Sequence, residues 1–472
     1  MSPKKDRPTG FTAFIVIWIG QILSLLGTAV SHFGLQLWVF DAGHGKATPM
    51  TTMGFFFVLP MILFTPVVGI LVDRVSRKLT MMLSDLAAAL CTFVVLLLYL
   101  SGALQIWHLY IVAFVLGTFQ GFQWPAYSAA ISTMLDKRHY ARANAMLDMA
   151  GASSGVFAPL IAGALLGPLN IWVTRTAPAI AARTPGEPGI LVLLAFDLLS
   201  AAFAIGTLLF VHIPDPERSA EHAKAQGGFW HQALFGFRYI LSRPSLLGLQ
   251  LVFLMGNLII SLGTAVRGAM ILARTGSDRM VFGSIQTAGA VGGLAGGIVI
   301  GIWGGFKRRV HGVLLGWALS GIALAVFGAS RSLVPWLITS FAAALVSPLI
   351  NASNQAIWQA KVPPDIQGRV FAARRLIAWA VSPLAQVVAG PAADQVLEPL
   401  FQAPGPEMKW LTDLFGTGAG AGMAFQIALA GIFTALVGVS GYLFPTVRQA
   451  EELLPDHDTG SSQTETQSPV AA

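Results

Sequence analysis

Four polar stripes carry most of the side chains in this sequence that could do chemistry. Gln21, Thr28 and Ser31, with Ser24 among them, recur at helical spacing inside one apolar run and so share one helical face. Asn257, Thr264 and Arg267 take the matching places in a second run. Gln120, Gln123, Trp124 and Tyr127 form a third set, and Asn351, Asn354 and Trp358, with Gln355, a fourth. Amides, hydroxyls and indoles bind ligands by hydrogen bonding and stacking. They do not by themselves break covalent bonds. No H-E-x-x-H, paired-carboxylate or Ser/His/Asp grouping lies at the depth of these stripes, so an enzyme is not expected. No G-x-x-x-x-G-K-[ST] order occurs, not even in AGHGKAT (42–48), so neither ATP-driven transport nor a bound cofactor is expected.

The elements that must position these groups are membrane spans. The chain has 472 residues, 55% hydrophobic and 11% charged, with a mean hydropathy of +0.68. Soluble domains carry about 25% charged residues. Crossing a bilayer takes roughly 20 mostly apolar residues. Twelve such runs are centred at 12–38, 50–72, 80–100, 106–132, 144–168, 190–212, 246–271, 281–303, 311–329, 333–358, 371–395 and 422–444. None shows the alternation of a barrel strand. The expected fold class is an all-α polytopic membrane protein with twelve transmembrane helices. The first run is too long for a signal peptide, so no cleavage is expected. Cys91, the single cysteine, excludes a disulfide framework and reads as a small buried apolar residue.

A pI near 9.7 raises nucleic acid as a partner, but the placement of charge explains it otherwise. Most of the 29 Lys and Arg fall on alternate loops, among them Lys4, Lys5, Arg7, then Arg74, Arg77, Lys78, then Lys137, Arg138, Arg142, and later Lys307, Arg308, Arg309. Short basic loops stay inside. The expectation is a multi-pass protein of the cell (inner) membrane with both termini cytoplasmic, acting as a monomer and not binding nucleic acid. Residues 1–213 read as one six-helix half and 246–446 as a second. Residues 214–245 form a cytoplasmic linker that opens as PDPERSAEHAKAQGG and continues as FWHQALFGFRYIL, an interfacial amphipathic helix. Residues 447–472 read as a disordered cytoplasmic tail.

The two halves look like copies. GQILSLLGTAV (20–30) aligns with GNLIISLGTAV (256–266), and the polar stripes stay in register. LDKRHYARA and VPPDIQGRV also align, with Arg142 over Arg369. A single Ser or Thr in a span commonly bonds a neighbouring helix. Four stripes in matching helices of two repeats point to a shared cavity at the repeat interface, the architecture of a secondary transporter.

GILVDRVSRK, with Gly69, Asp73, Arg74, Arg77 and Lys78, resembles the G-x-x-x-D-R-x-x-R-R/K signature of the major facilitator superfamily. The resemblance implies the major facilitator fold of two six-helix pseudo-repeats and a cytoplasmic gating latch at these five residues. The second-half counterpart, GIWGGFKRR, keeps Gly301 but has Gly305 where Asp73 sits. Over nearly the whole chain the sequence is similar to the exporter branch that includes macrolide-efflux and enterobactin-exporter-like proteins. GQILSLLGTAV, FQWPAYSAAIS, GFRYILSRP and VPPDIQGRV also carry that likeness. In span 5, GASSGVFAPLIAGALLGP loosely resembles the glycine-proline element of the superfamily's exporters. The superfamily's drug/proton antiporters often place an arginine ahead of a Q-G pair in span 4. Here Gln120-Gly121 is present and Gly117 stands at the arginine's place.

Ionisable groups inside spans are functional candidates. Arg267 is expected to face the cavity, with Asp197 either pairing with it or taking up protons. His32, beside the first stripe, either titrates near neutrality or packs as a hydrogen-bonded group. Asp85 and Asp148 read as structural partners of Arg77 and Arg142, and Asp41 and Asp394 as solvated groups at outer helix ends. The function expected is proton-coupled export of amphipathic small molecules by alternating access, with the lipid bilayer, the substrate and the proton gradient as partners. The other reading is a transport-inactive scaffold or assembly factor on the same fold.

Overall fold

A computed structural model describes residues 10–64, 76–135, 140–176, 178, 187–211, 213, 229–362 and 367–453. The described residues are helical throughout, without a strand. Along the chain the main helices are α1 (Gly10–Ala42), α2 (Ala47–Leu63), α3 (Arg77–Leu100), α4 (Ile106–Met134), α5 (Tyr140–Leu166), α6 (Pro188–Phe210), α7 (Pro244–Ala265), α8 (Arg279–Trp303), α9 (Arg309–Ala329) and α10 (Leu333–Lys361). An interrupted α11 (Gln367–Trp379 and Val381–Pro391) and α12 (Ala421–Ser440) complete the set. Ten helices among the described residues meet the length and composition needed to cross a membrane, against twelve spans expected. The shortfall lies in α2, which has 17 described residues, and in α4.

The sequence of α3 shows why these segments fold as they do. Leu79, Leu83, Leu86, Leu90, Phe93 and Leu97 are exposed along one face, while Ser84, Asp85, Thr92 and Tyr99 are buried on the other. Apolar groups point outward and polar groups inward, which suits a solvent of lipid. Ser76 caps this helix, its side chain accepting from the Leu79 amide.

Both described chain ends lie at one end of the bundle, called the terminal face here. Lys78 donates to the carbonyls of Val211 and Leu209, and Arg309 to that of Ala356, so these segment ends share that face. The remaining helix ends form the opposite face. The buried apolar side chains divide accordingly. One cluster at the opposite face runs through both sets of helices, from Val30, Phe33 and Leu109 to Met270, Phe282 and Ala389. At the terminal face there are two separate clusters, one around Phe14, Met81 and Tyr127, the other around Trp317, Ile350 and Trp358. The helix Phe229–Leu241 joins the second of these through Tyr239 and Ile240.

Candidate functional site

A cavity of about 1180 Å³ occupies the space between the bundles that the two terminal-face clusters leave unfilled. α1 and α5 wall it on one side, and α7, α8, α9, α10 and α11 on the other. Its lining includes His32, Gln36, Asn257, Arg267, Gln286, Asn351, Asn354, Gln355 and Arg374. A smaller chamber of about 350 Å³ shares His32, Ala29, Ser154 and Gly155 with it and reaches Thr28, Asp85, Gln120 and Gln123.

The opposite face closes the cavity in three layers. Phe33, a cavity wall, stacks on Phe282 of α8 with ring centroids 4.8 Å apart. Beyond it, Arg279 at the start of α8 pairs with Asp41 at the end of α1 (2.9 Å) and with Glu187, which precedes α6. Ser277 also donates to Asp41, at 3.1 Å. The third layer is a helix cap supplied from across the interface. The Asp394 carboxylate accepts from the amides of Ala47 (2.9 Å) and Thr48 (2.7 Å) and from the Thr48 hydroxyl (2.6 Å). An acid at a helix N-terminus satisfies orphan donors and complements the helix dipole. Asp41 and Asp394 are therefore bonded groups, where the sequence suggested solvated ones.

The first polar stripe serves two buried acids. Asp85, 2% exposed, accepts from Gln21 Nε2 (2.6 Å), Ser24 Oγ (3.3 Å) and Gln123 Nε2 (2.9 Å). Gln123 also donates to Gln21 Oε1 at 3.0 Å, which closes the network. Asp197, also 2% exposed, accepts from Thr28 Oγ1 (3.0 Å) and Thr92 Oγ1 (2.6 Å). Ser31 donates to the Leu193 carbonyl.

These contacts correct the suggested pairing of Asp197 with Arg267. The α6 face that carries Asp197 turns inward to α1 and α3, while Arg267 lies past the end of α7 and donates to Gln286 Oε1 at 2.7 Å. Asp85, read as an ion-pair partner of Arg77, is held by neutral amides and a hydroxyl instead.

Placement of the remaining candidates is uneven. Asn257, Arg267, Asn351 and Asn354 line the large cavity, as does His32, and Thr28, Gln120 and Gln123 line the smaller chamber. Gln21, Ser31 and Tyr127 are buried away from both. Trp358 is fully buried and donates to Asn354. Thr264 faces outward and returns its hydroxyl to the Ile260 carbonyl. Thr28 and Thr264 match in sequence yet do unrelated work. The side chain of Trp124 and residues Gly69, Asp73 and Arg74 lie outside the described residues. Of that motif, Arg77 begins α3 and Lys78 bonds the end of α6. Asp148 likewise has no described side chain.

The structure also explains why Gly117 replaces an arginine. α4 approaches α2 so closely there that a Cβ would lie 1.9 Å from the Phe57 carbonyl oxygen. A side chain at this position would force the two helices apart.

A family model described as the Major Facilitator Superfamily matches residues 17–387, more than half of the chain. The chain belongs to the major facilitator superfamily. It is a multi-pass membrane transporter, not an enzyme. Relatives within the superfamily are distant. Macrolide efflux protein A of Streptococcus pyogenes is 21% identical over 385 residues, covering 81% of this chain and 90% of that protein. Multidrug efflux pump Tap of Mycolicibacterium fortuitum is 25% identical, covering 76% and 83% respectively. Among solved structures, an inward-facing, unoccupied bacterial homolog of the human lysosomal transporter Spinster matches with a TM-score of 0.67 and 15% identity. That match covers 94% of this chain and 97% of the other. The nucleoside transporter NupG matches at 0.64 and 11%, covering 91% and 99%. These two likenesses concern the fold alone.

Proposed function

We propose that this superfamily member is a secondary active exporter that moves amphipathic small molecules by alternating access, driven by the proton gradient. One observation carries the reading: the apolar core is continuous across the bundles at the opposite face and split in two at the terminal face, around a cavity large enough for a drug-sized molecule. Such a core has two packings available, one open at each face. The basic loops assign the terminal face to the cytoplasm of the cell membrane, so this state faces inward and loads from the inside. Residues 1–213 and 246–446 are the two rocking halves, and residues 69–78 latch the cytoplasmic face when it closes. The names of the macrolide and multidrug efflux relatives favour outward transport.

Asp85 is the proposed proton carrier. Its partners among the described residues are neutral, and it lines a chamber that shares His32 with the main cavity. A carboxylate buried without a cation is costly in its charged form, and uptake of a proton removes that cost. Asp197, on the neighbouring α6, His32 and the phenol of Tyr127 are other titratable groups around it. The test uses purified protein in liposomes with an imposed pH gradient and a panel of amphipathic dyes. Asp85→Asn is expected to abolish gradient-driven flux while leaving dye exchange at equal pH. Gradient-driven flux retained in Asp85→Asn would remove Asp85 from the mechanism. Absence of flux from the unaltered protein would favour the scaffold reading.

A further inference from the structure

The large cavity is electrically one-sided. Its described lining contains three arginines, Arg267, Arg374 and Arg375, and no aspartate or glutamate. Neither Arg267 nor Arg374 takes part in the ion pairs of the described residues, which involve Arg279 and Arg308. Arg374 is held by the Gln355 amide oxygen (2.5 Å) and lies 5.4 Å from the Trp358 ring and 5.2 Å from that of Phe371. Its Nη1 is buried and has no hydrogen-bond partner among the described residues. Arg267 donates one N–H to Gln286 and lies 5.8 Å from the Phe327 ring. Each guanidinium is thus oriented by an amide and an aromatic ring while its charge stays unmatched.

Charged groups at membrane depth are neutralised by a partner, and guanidinium suits planar carboxylates, sulfonates and phosphates. Buried donors left without acceptors are rare and costly. The missing counter-charge is therefore the cargo's. We infer that the main cavity selects anionic amphipathic molecules, engaging the acidic group first at Arg374 and then at Arg267. The two arginines are stations along the path. Gln250, whose side chain donates to the Arg374 carbonyl, precedes Arg267 by a helical rise of about 25 Å. Arg374 stands toward the terminal face and Arg267 beneath the closed face. Asp85 does not offset them, because it sits in the side chamber with its own donors. The inference rests on the cavity being the transport site.

Two dyes of the same xanthene scaffold and opposite charge test it: fluorescein, an anion, and rhodamine 6G, a cation. Binding to the full chain in nanodiscs is read by fluorescence anisotropy, and flux is read separately in liposomes. Fluorescein is expected to bind at least tenfold more tightly than rhodamine 6G. Arg374→Gln and Arg267→Gln should each weaken fluorescein binding about tenfold, Arg374→Lys should restore part of it, and rhodamine 6G binding should not fall. Equal or tighter binding of rhodamine 6G, no binding of either dye, or unchanged fluorescein affinity in both glutamine variants would overturn the inference. Fluorescein binding without flux would uphold it and count against the exporter reading. Flux of rhodamine 6G alone would do the reverse. Monodisperse elution of each variant from size exclusion guards against misfolding, and Arg374→Lys preserves both charge and bulk.

Discussion

At the scale of residues, membrane-depth carboxylates are tolerated here because hydroxyls and amides from neighbouring helices surround them. Asp197 depends on two threonines, one from α1 and one from α3. Thr92→Val keeps the shape of the side chain and deletes the 2.6 Å donor. It is expected to cost about 1–2 kcal/mol, read as a lower midpoint in thermal or SDS unfolding. Thr264→Val, whose hydroxyl returns only to its own helix, should change that midpoint little. The comparison separates the two threonines that sequence alignment treats as equivalent.

At the scale of elements, close helix approach decides what chemistry a position can hold. α2 and α4 meet at Gly117, where the carbonyl of Phe57 fills the space of a Cβ. Gly117→Ala should pry the helices apart and destabilise the protein by about 1–3 kcal/mol, measured as a fall in melting temperature. Gly117→Arg should lower expression and confer no new proton coupling. A similar approach joins the halves, since a Cβ on Gly283 of α8 would lie 2.5 Å from the Pro159 carbonyl oxygen of α5. Small residues there allow the tight seal of the opposite face.

At the scale of the whole molecule, the proposed alternating access requires the contacts of the seal to break for the cavity to open the other way. Arg279→Gln combined with Asp394→Asn removes the ion pairs of α8 and the charged cap of α2. Together the cap and the partly exposed ion pairs contribute about 1–2 kcal/mol. The double variant should therefore shift the population toward opening at the opposite face by roughly five- to thirtyfold. Spin labels at positions 103 and 409, placed in a Cys91→Ser background, would report it as a longer distance component. An unchanged distance distribution would show that the Phe33–Phe282 stack and the shared core hold the face without these charges.

The apolar runs determined the class of fold before any coordinates, because a helix that must satisfy its backbone in lipid is written as a long hydrophobic stretch. The basic loops and residues 69–78 pointed to the superfamily in the same local way. Cavity membership was only partly legible. Asn257, Arg267, Asn351 and Asn354 reach the cavity, yet Gln21, Ser31 and Trp358 from equally polar stripes are buried against neighbouring helices. A stripe says that a helix face avoids lipid, but another helix meets that need as well as water does. Asp394 and Arg279 carry no sequence signal for their roles, since their partners, Ala47, Thr48, Asp41 and Glu187, are distant in the chain. Which charges are paired and which stay open is a property of how the helices meet. For that reason the sequence determined the bilayer-spanning architecture, and only the tertiary structure decided that Asp85 and Asp197 are enclosed while Arg267 and Arg374 face the cavity.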